Sequence, residues 1–176
     1  MKRGIKKKGQ VWIETVIYTL IAFVMIGLVL SFARPKIQEI QDELVLDQSI
    51  SMLKSVDSTI LSMGSPGNQR IIPITIKKGE LKIDGENDKI IFNMNSKSLY
   101  SEPGKEIIDG SVIILTEEKT DLNLITLSLN YTQFYNITLD GKDETKLLSS
   151  AATEYRISLV HKGFDSSGKP ILEVSV

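Results

Sequence analysis

The stretch VWIETVIYTLIAFVMIGLVLSFA, residues 11–33, decides how this chain is organised. Glu14 is its only side chain expected to carry a charge. A helix over these residues would be roughly 34 Å long at about 1.5 Å per residue, and a bilayer hydrocarbon core is about 30 Å thick. A carboxylate costs on the order of 2.5–3.5 kcal/mol at the bilayer centre and less near a helix end. The stretch therefore predicts a membrane-spanning helix with one acid about a turn from its start.

The charges of the chain are distributed unevenly. The 176 residues have a formal net charge of −1, but five basic and no acidic residues precede Gln10. The remainder holds 16 basic against 22 acidic residues, which argues against a nucleic-acid partner. A basic head before an apolar stretch predicts a cytoplasmic N-terminus and a C-terminal portion outside the membrane. Since there is no cysteine, an exported domain would depend on its core alone.

A second helical pattern begins at Pro35, directly after the apolar stretch. Its apolar residues recur mostly every three or four positions, with polar residues between them. Gly64 is a suitable stop signal. The two segments together predict one long helix, kinked or loosened near Pro35. The amphipathic stripe consists of Ile37, Ile40, Leu44, Ile50, Leu53, Val56 and Ile60.

After Gly67 the apolar period changes from helical to two. Eight short apolar segments follow, most of them alternating in this way, and they predict about seven strands separated by turn signals such as Asp84-Gly85 and Asp140-Gly141. This pattern predicts an antiparallel β-sandwich or curled sheet, and with the helix an α+β fold. The apolar segments are 72–76, 81–83, 90–94, 112–115, 125–131, 135–139, 155–159 and 172–176.

The first residues also resemble a known signal. Lys7-Lys8-Gly9, followed by Gln10, Glu14 and the apolar stretch, is similar to the class III signal peptide of archaeal type IV pilins. The resemblance implies cleavage by a prepilin peptidase after Gly9, which makes Gln10 the first mature residue and Glu14 the fifth. It also implies that the Glu14 carboxylate pairs with the freed α-amine of a neighbouring subunit. An apolar filament core would favour such a pair over either charge alone.

The resemblance implies a structural subunit of a surface filament, whose partners are the membrane, the peptidase and other pilin subunits. The chain then divides into a leader, an assembly helix, an amphipathic helix and an extracellular β-domain, over residues 1–9, 10–34, 35–64 and 65–176. One alternative is an uncleaved single-pass anchor that displays a β-sandwich binding or adhesion module outside the cell. Another is a secreted domain that starts at Arg34, released after the small residues of Ser31-Phe32-Ala33.

The remaining residues predict no enzyme, cofactor or metal site. His161 is the only histidine and there is no cysteine, which argues against a metal or catalytic centre. Asp84 to Asp88 superficially resembles a calcium loop, but the twelfth position is Asn95 rather than Glu, so a turn is predicted. No nucleophile elbow or glycine-rich phosphate loop is present in the sequence.

Two sequons predict N-glycosylation of an exported domain. They are Asn130-Tyr131-Thr132 and Asn136-Ile137-Thr138. Both place Asn and Thr on the polar side of an alternating pattern, so all four side chains are expected to face solvent.

Overall fold

The computed structural model describes residues 7–176, with side chains from residue 12 onward. One long helix, α1 (Lys7–Leu61), precedes ten strands, so the predicted α+β class is confirmed. Residues 1–6 of the predicted leader lie outside the described residues. The two predicted helical segments form a single helix with Pro35 inside it, and α1 ends three residues before Gly64. The chain divides into two compact units, one ending at Ile40 and one from Gln41 to Val176.

The second unit contains two β-sheets built mainly from antiparallel pairs. The four-stranded sheet has the order β1-β9-β10-β7, and the six-stranded sheet has the order β4-β5-β6-β3-β2-β8. The strands are β1 (Gln69–Ile74), β2 (Glu80–Asp84), β3 (Lys89–Ser96), β4 (Glu106–Asp109), β5 (Val112–Glu117), β6 (Asn123–Asn130), β7 (Asn136–Leu139), β8 (Thr145–Ser149), β9 (Tyr155–Phe164) and β10 (Pro170–Ser175).

The predicted antiparallel arrangement is confirmed for most strand pairs, but the structure differs from the prediction of about seven antiparallel strands in two respects. The strands β4 and β8 were missed because both lie at sheet edges and place few side chains in the core: β4 has none that is fully buried, and β8 has only Leu148. In addition, β7 and β10 pair in parallel. After β7 the chain enters the other sheet as β8 and then returns to the first sheet as β9. Strand β10 pairs antiparallel with β9 and runs in the same direction as β7.

The end of α1 and both sheets share one hydrophobic core. A small apolar cavity shows the meeting of the three elements, because Val56 of α1, Ile74 of one sheet and Ile83 of the other all line it. The docked half of α1 (residues 42–61) thus packs on the chain's own β-domain. Its buried apolar residues are Leu46, Ile50, Leu53, Val56 and Ile60.

The predicted amphipathic stripe is confirmed only in its second part. Ile37, Ile40 and Leu44 remain about half exposed, whereas Leu46 is fully buried. Residues of an α-helix are about 100° apart, so Leu44 and Leu46 point in nearly opposite directions. The buried stripe therefore starts at Leu46, in a different phase from the stripe that begins at Ile37.

Polar contacts hold the docked half along its length. The buried carboxylate of Asp42 accepts hydrogen bonds from Lys78 Nζ and from the Lys97 backbone N–H, the latter at 2.9 Å. Fifteen residues later, Asp57 accepts a hydrogen bond of 2.8 Å from the hydroxyl of Tyr131. Burial raises the pKa of the Tyr131 phenol, and the neighbouring Asp57 carboxylate raises it further.

Candidate functional site

The apolar half of α1, defined as residues 12–33, is exposed on all sides. Every residue from Trp12 to Phe32 is exposed, and the rings of Trp12 and Phe32 are 71% and 78% accessible. An apolar surface that surrounds a helix is far larger than the patches that a soluble monomer leaves in water. The large exposed side chains include Ile13, Val16, Ile17, Tyr18, Leu20, Ile21, Phe23, Val24, Met25, Ile26, Leu28, Val29 and Leu30.

Such a surface is suited to contact with lipid or with other protein. In the part of the chain that the structure describes, α1 is the one helix long and apolar enough to cross a membrane, by length and composition alone. The few hydroxyl groups of the apolar half suit such surroundings. The hydroxyl of Thr19 donates to the Thr15 carbonyl at 2.7 Å, and that of Ser31 donates to the Leu28 carbonyl at 2.7 Å. These two groups therefore need no hydrogen bond from water.

Glu14 is the acidic residue of the apolar half, and its side chain is exposed. The next basic residue along the chain is Arg34, which is about 30 Å away along the helix axis. A cation that neutralises Glu14 in apolar surroundings therefore has to come from the N-terminal side or from another molecule. Gly9 and Gln10 lie in the first turn of α1, and the side chain of Gln10 lies outside the described residues. The pairing of Glu14 with a freed amine stays a prediction.

The predicted turn at Asp84 to Asp88 is confirmed, and Asp84 organises it. The Asp84 carboxylate accepts hydrogen bonds from Lys82 Nζ at 2.7 Å and from the backbone and side chain of Asn87, both at 3.1 Å. The hydrogen bond from Lys82 is the main cause that lowers the pKa of Asp84. Another segment approaches the turn closely, because a Cβ added to Gly85 would lie 2.7 Å from the Glu144 carbonyl oxygen.

His161 has a structural environment. It is buried within β9, which continues beyond it to Phe164. Its Nδ1 accepts a hydrogen bond of 3.1 Å from the Gly163 N–H, and its ring meets that of Phe164 edge to face. Among the described residues, no group of three or more His, Cys, Asp or Glu side chains is placed to hold a metal ion.

The two sequons differ in accessibility, contrary to the expectation that all four side chains face solvent. Asn130 and Thr132 are exposed, as predicted. Asn136 is half-buried and Thr138 is buried, so the prediction was wrong for the second sequon. The reason is that β7 is covered on both faces, because the consecutive residues Ile137, Thr138 and Leu139 are all buried.

No protein-family model, curated protein or solved structure matches this chain.

Proposed function

We propose that this chain is a structural subunit of an archaeal type IV pilus-like surface filament. In this proposal a prepilin peptidase cleaves after Gly9, the β-domain is held outside the membrane, and subunits polymerise through the apolar half of α1. The main supporting observation is that residues 12–32 are exposed on every side, while the docked half of the same helix is buried against the β-domain.

The apolar half would exchange one apolar environment for another during assembly. Before assembly, lipid covers it, and in the filament the apolar helices of neighbouring subunits do so. Because lipid chains and a helix bundle are similarly apolar, hydrophobicity alone does not favour the bundle. Shape complementarity and polar contacts between subunits therefore have to provide the free energy that favours the filament. Glu14 is the residue of the apolar half suited to such a polar contact.

The proposed partner of Glu14 is the α-amine of Gln10 of a neighbouring subunit. Cleavage creates this amine, with an ordinary pKa of about 7.7–8, close to the start of the apolar half. An unpaired carboxylate is costly in a low-dielectric interior, whereas a close pair of opposite charges recovers much of that cost. Assembly would therefore depend on cleavage, because the uncut chain has no amine at this position.

Substitution of Glu14 tests this role directly. We expect Glu14→Gln to be exported and processed normally, but to reduce the yield of sheared filaments at least about tenfold. The reason is that breaking a buried ion pair by removing one partner costs about 3–5 kcal/mol. The measurement is immunoblotting of the sheared and membrane fractions.

The matched control is Glu43→Gln, the same chemical change at an exposed position of the docked half. It should leave the filament yield unchanged. Normal filaments from Glu14→Gln would refute the pairing role. A parallel variant, Gly9→Val, should leave the leader attached and also abolish filaments, and an unchanged mature mass would refute the cleavage site.

A further inference from the structure

The loop after β6, residues 130–135, is held firmly at its base. Tyr131 is buried, donates its backbone N–H to the Asp88 carbonyl at 2.9 Å and its hydroxyl to Asp57. The N–H of Phe134 then closes a turn on the Tyr131 carbonyl at 2.8 Å. These contacts hold the backbone of the 130–135 loop in place, although most of its side chains point to solvent.

The Asn130 side chain is oriented by its own sequon. Its Oδ1 accepts the Thr132 N–H at 3.1 Å and lies 2.7 Å from the Thr132 hydroxyl, which is also 2.9 Å from the Asn87 carbonyl oxygen. Because Oδ1 faces these two donors, Nδ2 is turned away from them. The residue is exposed, so its side-chain amide is accessible to a glycosyltransferase in the folded domain.

The second sequon has the opposite environment. The half-buried Asn136 side chain lies beside Asp165, whose carboxyl pKa is lowered mainly by the hydrogen bond from the Ser167 hydroxyl and to a smaller extent by Asn136. The Thr138 hydroxyl is buried and has no hydrogen-bond partner within the part of the chain that the structure describes. A transferase acting on the folded domain would have to break the Asn136 contact and expose Thr138.

We propose that Asn130 is N-glycosylated and that Asn136 is not. The inference rests on the proposed function in one respect, since it requires the β-domain to be outside the membrane. A glycan bound to a lipid phosphate is the donor. The Asn130 Nδ2 forms a bond to C1 of the first sugar while the bond from C1 to the phosphate oxygen breaks. The electron pair of that bond leaves with the lipid phosphate, and the amide proton passes to a base of the transferase.

The exposed ring of Phe134 lines the same groove as Asn130 and is available for contact with a glycan. Phe134 is 65% accessible, and with Asn130, Thr132 and Gln133 it lines a shallow groove. A pyranose ring has one face of C–H groups, which packs well on an aromatic ring. The first sugar on Asn130 therefore shields Phe134 from water, and the loop gains a covered apolar side chain.

The test uses the full chain isolated from an archaeal host that has its own N-glycosylation system. Intact mass and peptide mapping are compared for the natural chain, Asn130→Gln, Thr132→Val and Asn136→Gln. The natural chain and Asn136→Gln should carry the same added mass, on the peptide that contains Asn130. Asn130→Gln and Thr132→Val should lose it completely, and Thr132→Ser should restore it.

Hydroxyl-radical footprinting provides a second readout. Oxidation of Phe134 should be several-fold lower in the natural chain than in Asn130→Gln. An unmodified Asn130 peptide, or added mass that disappears with Asn136→Gln, would overturn the inference. The mature N-terminus is read from the same sample. An unmodified chain that starts at Gln10 would contradict the glycosylation proposal but not the filament proposal. A glycosylated chain that starts at Met1 would contradict the filament proposal but not the glycosylation proposal.

Discussion

The two halves of α1 differ in their apolar content, in how the apolar residues are arranged around the helix, and in their surroundings. The apolar half has aliphatic and aromatic side chains in all directions and exposes those of residues 12–32, whereas the docked half has one apolar stripe and buries it on the β-domain. The difference shows that the arrangement of apolar residues around a helix, together with their number, decides what can cover it. The single apolar stripe of the docked half is buried by the chain's own sheets. A helix that is apolar all round requires lipid or other molecules.

The largest expected contrast between the halves comes from removing one leucine from each. Leu53 is fully buried, whereas Leu20 is 64% accessible. Leu53→Ala should lower the free energy of unfolding of the β-domain by about 2–5 kcal/mol, because it leaves a cavity in the core. Leu20→Ala should change it by less than about 0.5 kcal/mol.

The measurement is urea unfolding of the detergent-solubilised full chain, followed by near-ultraviolet circular dichroism. Trp12, the only tryptophan, reports separately on the apolar half by its fluorescence. Equal losses of stability from the two substitutions would contradict the assignment of one half to the core of the β-domain and the other to outside partners.

A smaller contrast is expected from two acidic residues near the boundary between the two units. Asp42→Ala removes the acceptor of the Lys97 N–H and should cost about 1–3 kcal/mol in the same unfolding assay. Glu39→Ala breaks only the exposed ion pair with Lys36, at 2.8 Å, and should cost less than about 1 kcal/mol. A loss for Glu39→Ala as large as that for Asp42→Ala would show that the docked half begins earlier than Asp42.

The smallest expected effect concerns the hydrogen bond between Tyr131 and Asp57. Tyr131→Phe should cost about 0.5–1.5 kcal/mol at neutral pH. Tyr135→Phe is the control and should cost less, because the Tyr135 hydroxyl is 3.5 Å from the Ile60 carbonyl oxygen.

The raised pKa of the Tyr131 phenol predicts that the stability of the β-domain depends on pH. Folding raises the pKa of its phenol, so its stabilising contribution is complete below the ordinary value of about 10 and is lost as the pH rises above it. The stability of the natural chain should therefore fall more steeply above pH 10 than that of Tyr131→Phe. Parallel curves for the two proteins would contradict this role of Tyr131.

The regular parts of the fold could be predicted from the sequence because their patterns are local. The apolar stretch and the alternation of Ile125, Leu127 and Leu129 each fit one period over many residues. Edge strands such as β4 have weak patterns, since little of their surface reaches the core. The parallel pairing of β7 with β10 depends on contacts between segments that are distant in the sequence.

The features of the candidate site were predictable to different degrees. Glu14 stands out because every neighbour in the stretch is uncharged. The role of Asp42 in holding the docked half was missed. Asp42 lies four residues before Leu46 and therefore on the same helix face. The available signal was a single acidic residue at the start of the buried stripe. The burial of Thr138 could not be predicted, because it depends on the packing of both faces of β7 in the folded domain.

The mature N-terminus is the most direct test of the central claim that the apolar half assembles after cleavage. Intact mass and N-terminal sequencing of protein from sheared surface filaments should give a chain that begins at Gln10. A chain that begins at Met1 would contradict the claim and favour an uncleaved anchor. A chain that begins at Arg34 would contradict it too, because the apolar half would then be absent from the mature protein.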